Sequence, residues 1–105
     1  MKYEYSATVV KVVDGDTVDL AVDLGFHITF TDRFRLYGIN APETNTPEGK
    51  ESSAVIKERL PLGAVVKIKT YKDKRGKYGR WLATIIYKRL NINGYMVRYG
   101  YANKY

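Results

Sequence analysis

Two aspartates lie on one predicted tight turn near the start of the chain, in the segment Asp14-Gly15-Asp16-Thr17. Gly15 tolerates the positive φ angle that such a turn often needs. Two carboxylates this close repel each other unless a cation or hydrogen bonds within the turn stabilise them. The segment therefore indicates either a cation site or an ordinary Asp-Gly turn, and alone it does not decide between them.

Two further segments combine charged residues with turn residues. The first runs from Phe34 to Glu43, with Arg35 in a predicted strand and Glu43 in the loop that follows. The second is Lys77-Tyr78-Gly79-Arg80, which ends a stretch from Lys67 to Arg80 with seven basic residues and one acid. Arginine suits phosphate binding because its planar fork pairs with two oxygens and stays charged. The simpler interpretations are a surface salt bridge and a solvated hairpin tip.

Residue usage excludes several kinds of site. The chain has no cysteine, so it has no disulfide and no thiolate-bound metal. Its one histidine, His27, excludes a site built from several histidines, and its position between Phe26 and Ile28 predicts an ordinary strand residue. No apolar run approaches membrane-spanning length, and the opening Met-Lys-Tyr-Glu-Tyr-Ser is not a signal peptide. We therefore expect no membrane partner.

Charge is distributed unevenly along the chain. The formal net charge is +7, yet residues 1–43 carry four basic and seven acidic residues, and residues 44–105 carry fourteen basic and four acidic ones. A basic half favours a polyanionic partner, and an acidic patch within a basic protein favours a cation site. A basic surface that only aids solubility would give the same counts.

The elements that must position these residues follow from hydrophobic periodicity. Strands are predicted by period-two alternation and helices by apolar residues three or four apart. The predicted strands are Ser6–Val13, Thr17–Asp23, His27–Gly38, Val65–Tyr71 and Arg80–Tyr87, and the predicted helices are Lys50–Leu60 and roughly Asn91–Tyr99. Residues 40–47 are predicted as loop and Lys72–Gly79 as a basic hairpin loop. The order β-β-β-α-β-β-α predicts one α+β domain over residues 1–105, mainly β, built as a five-stranded Greek-key barrel of the OB-fold type with two helices.

Alternation also predicts which way side chains face. Phe34 and Leu36 should lie on one side of their strand, with Arg33, Arg35 and Tyr37 on the other. Val66, Ile68 and Thr70 should share a face opposite Lys67 and Lys69. In the first strand Ala7, Val9, Lys11 and Val13 should share one face. Gly100 is predicted as the residue that terminates the last helix.

Taken together, the three charged segments resemble the staphylococcal nuclease (thermonuclease) family. The resemblance runs from about Thr8 to Ala102 in the family's order and includes the late pattern Ile92-Asn93, Met96-Val97-Arg98, Gly100 and Ala102. Each motif alone is weak evidence, and their occurrence in this order with similar spacing is strong. The resemblance implies an OB-fold nuclease that uses Ca²⁺.

The resemblance also implies roles for individual residues. Asp16, Asn40 and the backbone carbonyl of Ala41 would bind the Ca²⁺ ion, and Asp14 would lie beside it without coordinating. Arg35 and Arg80 would bind the phosphate, and Glu43 would act as general base for the attacking water. Lys77 and Tyr78 would contact a terminal phosphate and its nucleotide.

Two departures from the family pattern change these expectations. The family's best-known member has Asp where this chain has Asn40, so the site loses one negative charge and should bind Ca²⁺ more weakly. Residues 1–105 include no segment for the family's third helix and its further tyrosines. Tyr99, Tyr101 and Tyr105 are the candidates here for stacking on a base.

Three functions remain open on the sequence. The favoured one is a monomeric nuclease that hydrolyses DNA and RNA without sugar specificity, preferring single-stranded or frayed substrate and leaving a 3′-phosphate. The second is a binding module of the same fold that has lost catalysis, and the third is a general single-strand-binding barrel. Four residues discriminate between these functions: Asp16, Arg35, Glu43 and Arg80. A domain that has lost catalysis should lack several of the four, and this chain keeps all of them. A simple binding barrel would need neither acid.

Overall fold

The strands of this protein close into a small barrel. The computed structural model describes the backbone of residues 3–73 and 80–105 and the side chains of residues 4–72 and 81–105. In chain order the elements are β1 (Tyr3–Asp14), β2 (Thr17–Asp23), β3 (Thr29–Leu36), β4 (Ile39–Asn40), α1 (Pro47–Arg59), β5 (Val65–Asp73), β6 (Arg80–Tyr87), β7 (Leu90–Asn91), α2 (Ile92–Arg98) and β8 (Asn103–Lys104).

Five long strands form the barrel in the order β3-β2-β1-β5-β6, and all neighbours in that order are antiparallel. The barrel closes through a parallel pairing of β3 with β6, in which Arg35 lies opposite Leu82. The short strands β4 and β8 form a separate antiparallel pair. This closed, mainly β architecture with two helices confirms the predicted α+β OB-fold class.

The core fills the barrel interior, and it is closed at one end by α1. Phe34 and Leu36 are buried, as are Val66, Ile68 and Thr70, so the predicted faces of β3 and β5 are confirmed. Ile56 of α1 and Leu60 just after it are fully buried in the same cluster. Neither helix within residues 3–73 and 80–105 is long and apolar enough to cross a bilayer.

The predicted facing of β1 is wrong after Val9. Ala7, Val9 and Val12 are buried, and Lys11 is exposed. The register against β2 shifts between Val9 and Lys11, which is the signature of a β-bulge. The extra residue reverses the alternation, so Val12 replaces Lys11 on the core side.

Several predicted boundaries also differ from the structure: β1 is longer at both ends, β3 ends at Leu36 and not at Gly38, and β5 continues to Asp73. The third strand begins at Thr29, not at His27, because Gly25, Phe26 and His27 all adopt positive φ angles in the turn between β2 and β3. The first helix begins at Pro47, three residues before its predicted start. The Thr46 hydroxyl caps the helix by accepting a hydrogen bond from the Gly49 amide. Pro47 suits the first helical position because an N–H at that position would have no acceptor within the helix.

The last helix follows its prediction closely. Asn91 caps α2 by accepting from the Gly94 amide, and Gly100 follows the helix with φ of 79°. The sequence did not predict the two-residue strands β4, β7 and β8, because so short a strand shows too little periodicity to detect. One of them, β4, places Asn40 beside β8.

Candidate phosphate and cation site

Asp16 lies at the centre of the site, on the turn between β1 and β2. Its Oδ2 accepts a hydrogen bond of 2.9 Å from the Ala41 amide, and its Oδ1 accepts one of 3.0 Å from the Thr17 hydroxyl. Its backbone carbonyl accepts from the Leu36 amide at 2.7 Å. These bonds join the turn to the end of β3 and to the loop after β4, so residues far apart in sequence meet at one carboxylate.

The two aspartates of the turn have opposite pKa shifts. Burial raises the pKa of Asp14, and its side-chain hydrogen bond to Asp16 raises it further. Burial would also raise the pKa of Asp16, but hydrogen bonds from Asp14, the Ala41 amide and Thr17, together with the charge of Arg35, outweigh burial and hold it below its usual value. Asp16 is therefore the carboxylate that stays ionised, as an ionic ligand must.

Arg35 binds both sides of this cluster. Its Nη2 donates to Asn40 Oδ1 at 2.7 Å and lies 3.8 Å from Asp16 Oδ2. Its guanidinium also lies over the ring of Tyr105, 5.3 Å from the centroid. One guanidinium nitrogen thus lies near both side chains that the family resemblance assigns to the cation, so Asp16 Oδ2 and Asn40 Oδ1 face the same positive group.

Two glycines allow α1 to pack against the loops of the site. A Cβ at Gly15 would clash with the Ser52 hydroxyl of α1 and with Ala41. A Cβ at Gly49 would clash with the backbone carbonyl of Glu43. Only glycine permits both approaches, so the helix fixes the Asp14–Asp16 turn and the loop of residues 41–46 at once.

Glu43 is held through its backbone and exposed through its side chain. Its carbonyl accepts from both the amide and the hydroxyl of Thr46, at 3.0 and 2.7 Å. No hydrogen bond or ion pair joins its carboxylate to another side chain of the described part of the chain, so the structure brings Asp16, Asn40, Ala41 and Arg35 together and leaves Glu43 on the adjoining loop.

Most of the predicted basic loop Lys72–Gly79 lies outside the described residues. The backbone of Arg80 pairs with Asp73, which places its Cα at the base of that hairpin on β6. Lys77 and Tyr78 lie outside the described residues.

Sequence reasoning did not identify the residue that organises the end of β3. Buried Asn93 accepts from the Ile85 amide at 3.0 Å and donates to the carbonyls of Tyr37 and Ala83 at 2.9 and 3.0 Å. Its signal was a polar residue within an apolar helical pattern, between Ile92 and Met96. Ser52 was also missed, and its buried hydroxyl has no hydrogen-bond partner among the described residues.

The site offers oxygen ligands, which hard cations prefer, but Asp16 is the carboxylate at its centre. Among the side chains of residues 4–72 and 81–105, no three His, Cys, Asp or Glu residues are grouped so as to hold a metal ion by themselves. A cation here would need amide and carbonyl oxygens beside Asp16, and Ca²⁺ accepts both. The neighbouring guanidinium can pair with an anion such as a phosphate.

Comparison with known proteins identifies the family of this chain. The profile of the family described as "Staphylococcal nuclease homologue" matches residues 33–105. The chain is similar to "Endonuclease YhcR" of Bacillus subtilis (strain 168), with 32% identity over 114 residues that cover 97% of this chain and 9% of that protein. It is also similar to an "Uncharacterized endonuclease" of Escherichia coli O157:H7, with 35% identity over 95 residues.

A protein of the same description from Escherichia coli matches to the same extent. The match covers 90% of this chain and 57% of each Escherichia coli protein, so the chain spans just over half of their length and about a tenth of the Bacillus protein. The family profile matches well over half of the chain and includes Arg35, Asn40, Glu43 and Arg80. The chain therefore belongs to the staphylococcal nuclease family.

Proposed function

We propose that this domain is a Ca²⁺-dependent nuclease that hydrolyses phosphodiester bonds of DNA and RNA. The observation that carries the proposal is that Arg35 Nη2 lies 2.7 Å from Asn40 Oδ1 and 3.8 Å from Asp16 Oδ2. The pKa of Asp16 is lowered, so this carboxylate is ionised. An ionised acid and an arginine on one surface can bind a cation and a phosphate next to each other. The names of the similar endonucleases support the same reaction class.

Asp16 and Asn40, with the carbonyl of Ala41, would hold the Ca²⁺ ion. Their fit rests on the guanidinium already lying against Asp16 Oδ2 and Asn40 Oδ1, because oxygens that stabilise one cation can stabilise another. When bound, the ion would supply positive charge that offsets the anionic phosphate and the charge that accumulates in the transition state. With one carboxylate and one amide, we expect this chain to need raised Ca²⁺ concentrations.

The two arginines carry the remaining charge stabilisation. Arg35 lies on the outer face of β3, half-buried, where it can exchange its contact with Asn40 for two phosphate oxygens. Arg80 follows the basic hairpin on β6, and we assign it to the same phosphate. Preorganised cations of this kind act most strongly on charge that develops during the reaction. Lys77 and Tyr78 would bind the neighbouring phosphate and its nucleotide.

Glu43 is assigned as the general base. Hydrolysis needs a water whose proton is removed as its oxygen attacks phosphorus in line with the leaving group. The exposed carboxylate of Glu43 projects from a backbone that Thr46 and α1 fix in place, next to Ala41 and Asn40 in sequence. It is the acid of this loop, and its side chain is not committed to another group of the described chain.

We test this function by digesting end-labelled single-stranded DNA and RNA with Ca²⁺ and with a chelator. The expected result is cleavage of both polymers with Ca²⁺ and none with chelator. Equal cleavage in both conditions would reject the metal-dependent mechanism. Tight binding without cleavage at any Ca²⁺ concentration would instead show a non-catalytic module of the same fold.

A further inference from the structure

Ser52 is a polar residue of the core whose hydroxyl has no hydrogen-bond partner. The side chain is fully buried in α1, and its Oγ bonds to no atom of the described part of the chain, residues 4–72 and 81–105. It shares the buried face of the helix with Gly49 and Ile56. An unpaired hydroxyl away from water destabilises a folded protein, so a core position of this kind ordinarily favours an apolar residue.

A purely structural role at this position would suit alanine better than serine. Alanine has no hydroxyl to leave unpaired, and it is the strongest helix former. Ser52 also lies well inside α1 (Pro47–Arg59), so its hydroxyl caps neither end of the helix. The hydroxyl therefore destabilises this arrangement of the protein without a compensating bond, and such a group calls for a functional explanation.

Ser52 contacts both segments that form the proposed cation site. A Cβ at Gly15 would overlap the Ser52 hydroxyl and would lie 2.9 Å from the Ala41 Cβ, so these three groups meet at one point. Gly15 is the middle residue of the Asp14–Asp16 turn, and the Ala41 amide donates to Asp16 Oδ2 at 2.9 Å. Any movement of this turn relative to Ala41 therefore changes the surroundings of the Ser52 hydroxyl.

A bound cation would bring the turn and the loop closer together. Arg35 Nη2 lies 2.7 Å from Asn40 Oδ1 and 3.8 Å from Asp16 Oδ2. Oxygen ligands approach Ca²⁺ to about 2.3–2.6 Å, which is shorter than either distance. A Ca²⁺ ion in place of this nitrogen therefore requires the turn that carries Asp16 to move toward the loop that carries Asn40.

We propose that Ser52 is a positioning residue of the cation site. Its hydroxyl gains a hydrogen-bond acceptor, an oxygen of the Asp14–Asp16 turn, when a cation draws that turn toward Asn40 and Ala41. The hydroxyl then stabilises the cation-bound protein and destabilises the metal-free protein, so it raises cation affinity without touching the cation. The inference rests on the proposed function for the cation itself.

The test separates cation affinity from stability by comparing Ser52→Ala with Ser53→Ala. Both variants remove one hydroxyl from α1, and Ser53 is the half-buried neighbour of Ser52. In chelator, we expect Ser52→Ala to raise the midpoint of thermal unfolding by about 4 °C, because the unpaired hydroxyl is gone. In isothermal titration of Ca²⁺ into the metal-free protein, the same variant should bind about five-fold more weakly than the parent. Ser53→Ala should keep the parental Ca²⁺ affinity.

Parental Ca²⁺ affinity of Ser52→Ala would overturn the positioning role, whatever the stability of the variant. A lower unfolding temperature than the parent in chelator would overturn it too, since the hydroxyl would then stabilise the metal-free protein. Cleavage assays of the parent distinguish this result from failure of the proposed function. If Ca²⁺ binding depends on Ser52 but the parent cleaves no nucleic acid, the positioning role stands and the nuclease proposal is wrong. A parent that binds no Ca²⁺ overturns both.

Discussion

At the scale of single residues, the site depends on which oxygens are charged. Asp16 is buried yet has a lowered pKa, because hydrogen bonds from its neighbours outweigh the effect of burial. Asn40 carries no charge and already accepts a hydrogen bond from Arg35. Cation affinity should therefore be set by Asp16 and limited by Asn40.

Replacing Asn40 with aspartate tests that limit. We expect Asn40→Asp to increase Ca²⁺ affinity on the order of ten-fold, because each added ligand charge strengthens oxygen-based calcium sites. Isothermal titration of Ca²⁺ into the metal-free protein measures it. Asn45→Asp adds the same charge at an exposed position of the same loop and should change little. If Asn40→Asp bound Ca²⁺ no better than the parent, the ligand role of Asn40 would be wrong.

The raised pKa of Asp14 predicts how the stability of the fold changes with pH. Because burial and Asp16 raise its pKa, the folded protein binds this proton more tightly than the unfolded chain does. The stabilising contribution of Asp14 to the free energy of unfolding is therefore fully present below the ordinary aspartate pKa. It is lost as pH rises through the raised pKa of Asp14 in the folded protein. Ionised Asp14 beside ionised Asp16 destabilises the turn at neutral pH.

Asp14→Asn removes this ionisation and keeps an oxygen that can accept from the Asp16 amide. We expect its free energy of unfolding at pH 7 to exceed the parental value by roughly 0.5–1 kcal/mol. The difference should disappear near pH 3, where Asp14 is protonated in both states. Urea unfolding across this range measures it, and an advantage that grows toward acid pH would contradict the assignment.

At the scale of elements, α1 fixes the loops on which the site is built. Gly49 touches the backbone of Glu43, and Gly15 touches Ser52 of the helix. The sequence predicted a helix here from its apolar spacing. It did not reveal these approaches, because a required glycine looks the same in sequence as a tolerated one.

Gly49→Ala should destabilise the fold although alanine favours helices. The added Cβ would meet the Glu43 carbonyl, and moving a backbone carbonyl costs about 2 kcal/mol or more. Gly94→Ala in α2 is the matched control, since its Cβ would meet nothing closer than 3.7 Å and alanine should stabilise that helix by up to about 1 kcal/mol. Thermal unfolding followed by circular dichroism compares them, and similar shifts in the same direction would refute the close approach.

Elements with clean alternation were predicted well and irregular ones were not. The bounds of β2 match because apolar and polar residues alternate through that strand. Those of β6 match because a nearly continuous apolar run lies between Arg80 and Lys88. The bulge in β1 reverses its faces after Val9, and such a bulge is visible only once the partner strand is paired. The contact between Asp16 and Ala41 spans 25 residues and depends on barrel closure, so local patterns could name its residues but not its geometry.

At the scale of the whole molecule, charge is divided between the proposed cation site and a basic second part of the chain. The acidic first part supplies Asp14, Asp16 and Glu43, and the basic second part supplies the hairpin after β5. We propose that this basic segment binds phosphates; bound phosphates release counterions, so nucleic-acid binding should weaken as the salt concentration rises. For a single strand, the slope of log binding constant against log salt concentration should be about −0.7 for each phosphate contacted.

Lys72 tests whether the hairpin contributes to this slope. It is exposed at the start of the basic hairpin, next to Trp81. We expect Lys72→Gln to reduce the magnitude of the salt slope by about 0.7, measured by fluorescence anisotropy with single-stranded DNA. Lys57→Gln, on the exposed side of α1, should leave it unchanged. Identical slopes for both variants and the parent would place the nucleic acid elsewhere.

The most direct test of the account compares two arginines of one strand. Arg35 contacts Asn40 and Asp16, and Arg33 is an exposed arginine of the same strand paired with Asp19 at 2.9 Å. In Ca²⁺-dependent cleavage of single-stranded DNA, we predict that Arg35→Ala lowers kcat/KM about a hundred-fold or more. Arg33→Ala should stay within about two-fold, as expected for a surface ion pair. Near-parental kcat/KM for Arg35→Ala, with its fold intact, would contradict the central claim that this cluster is the catalytic site.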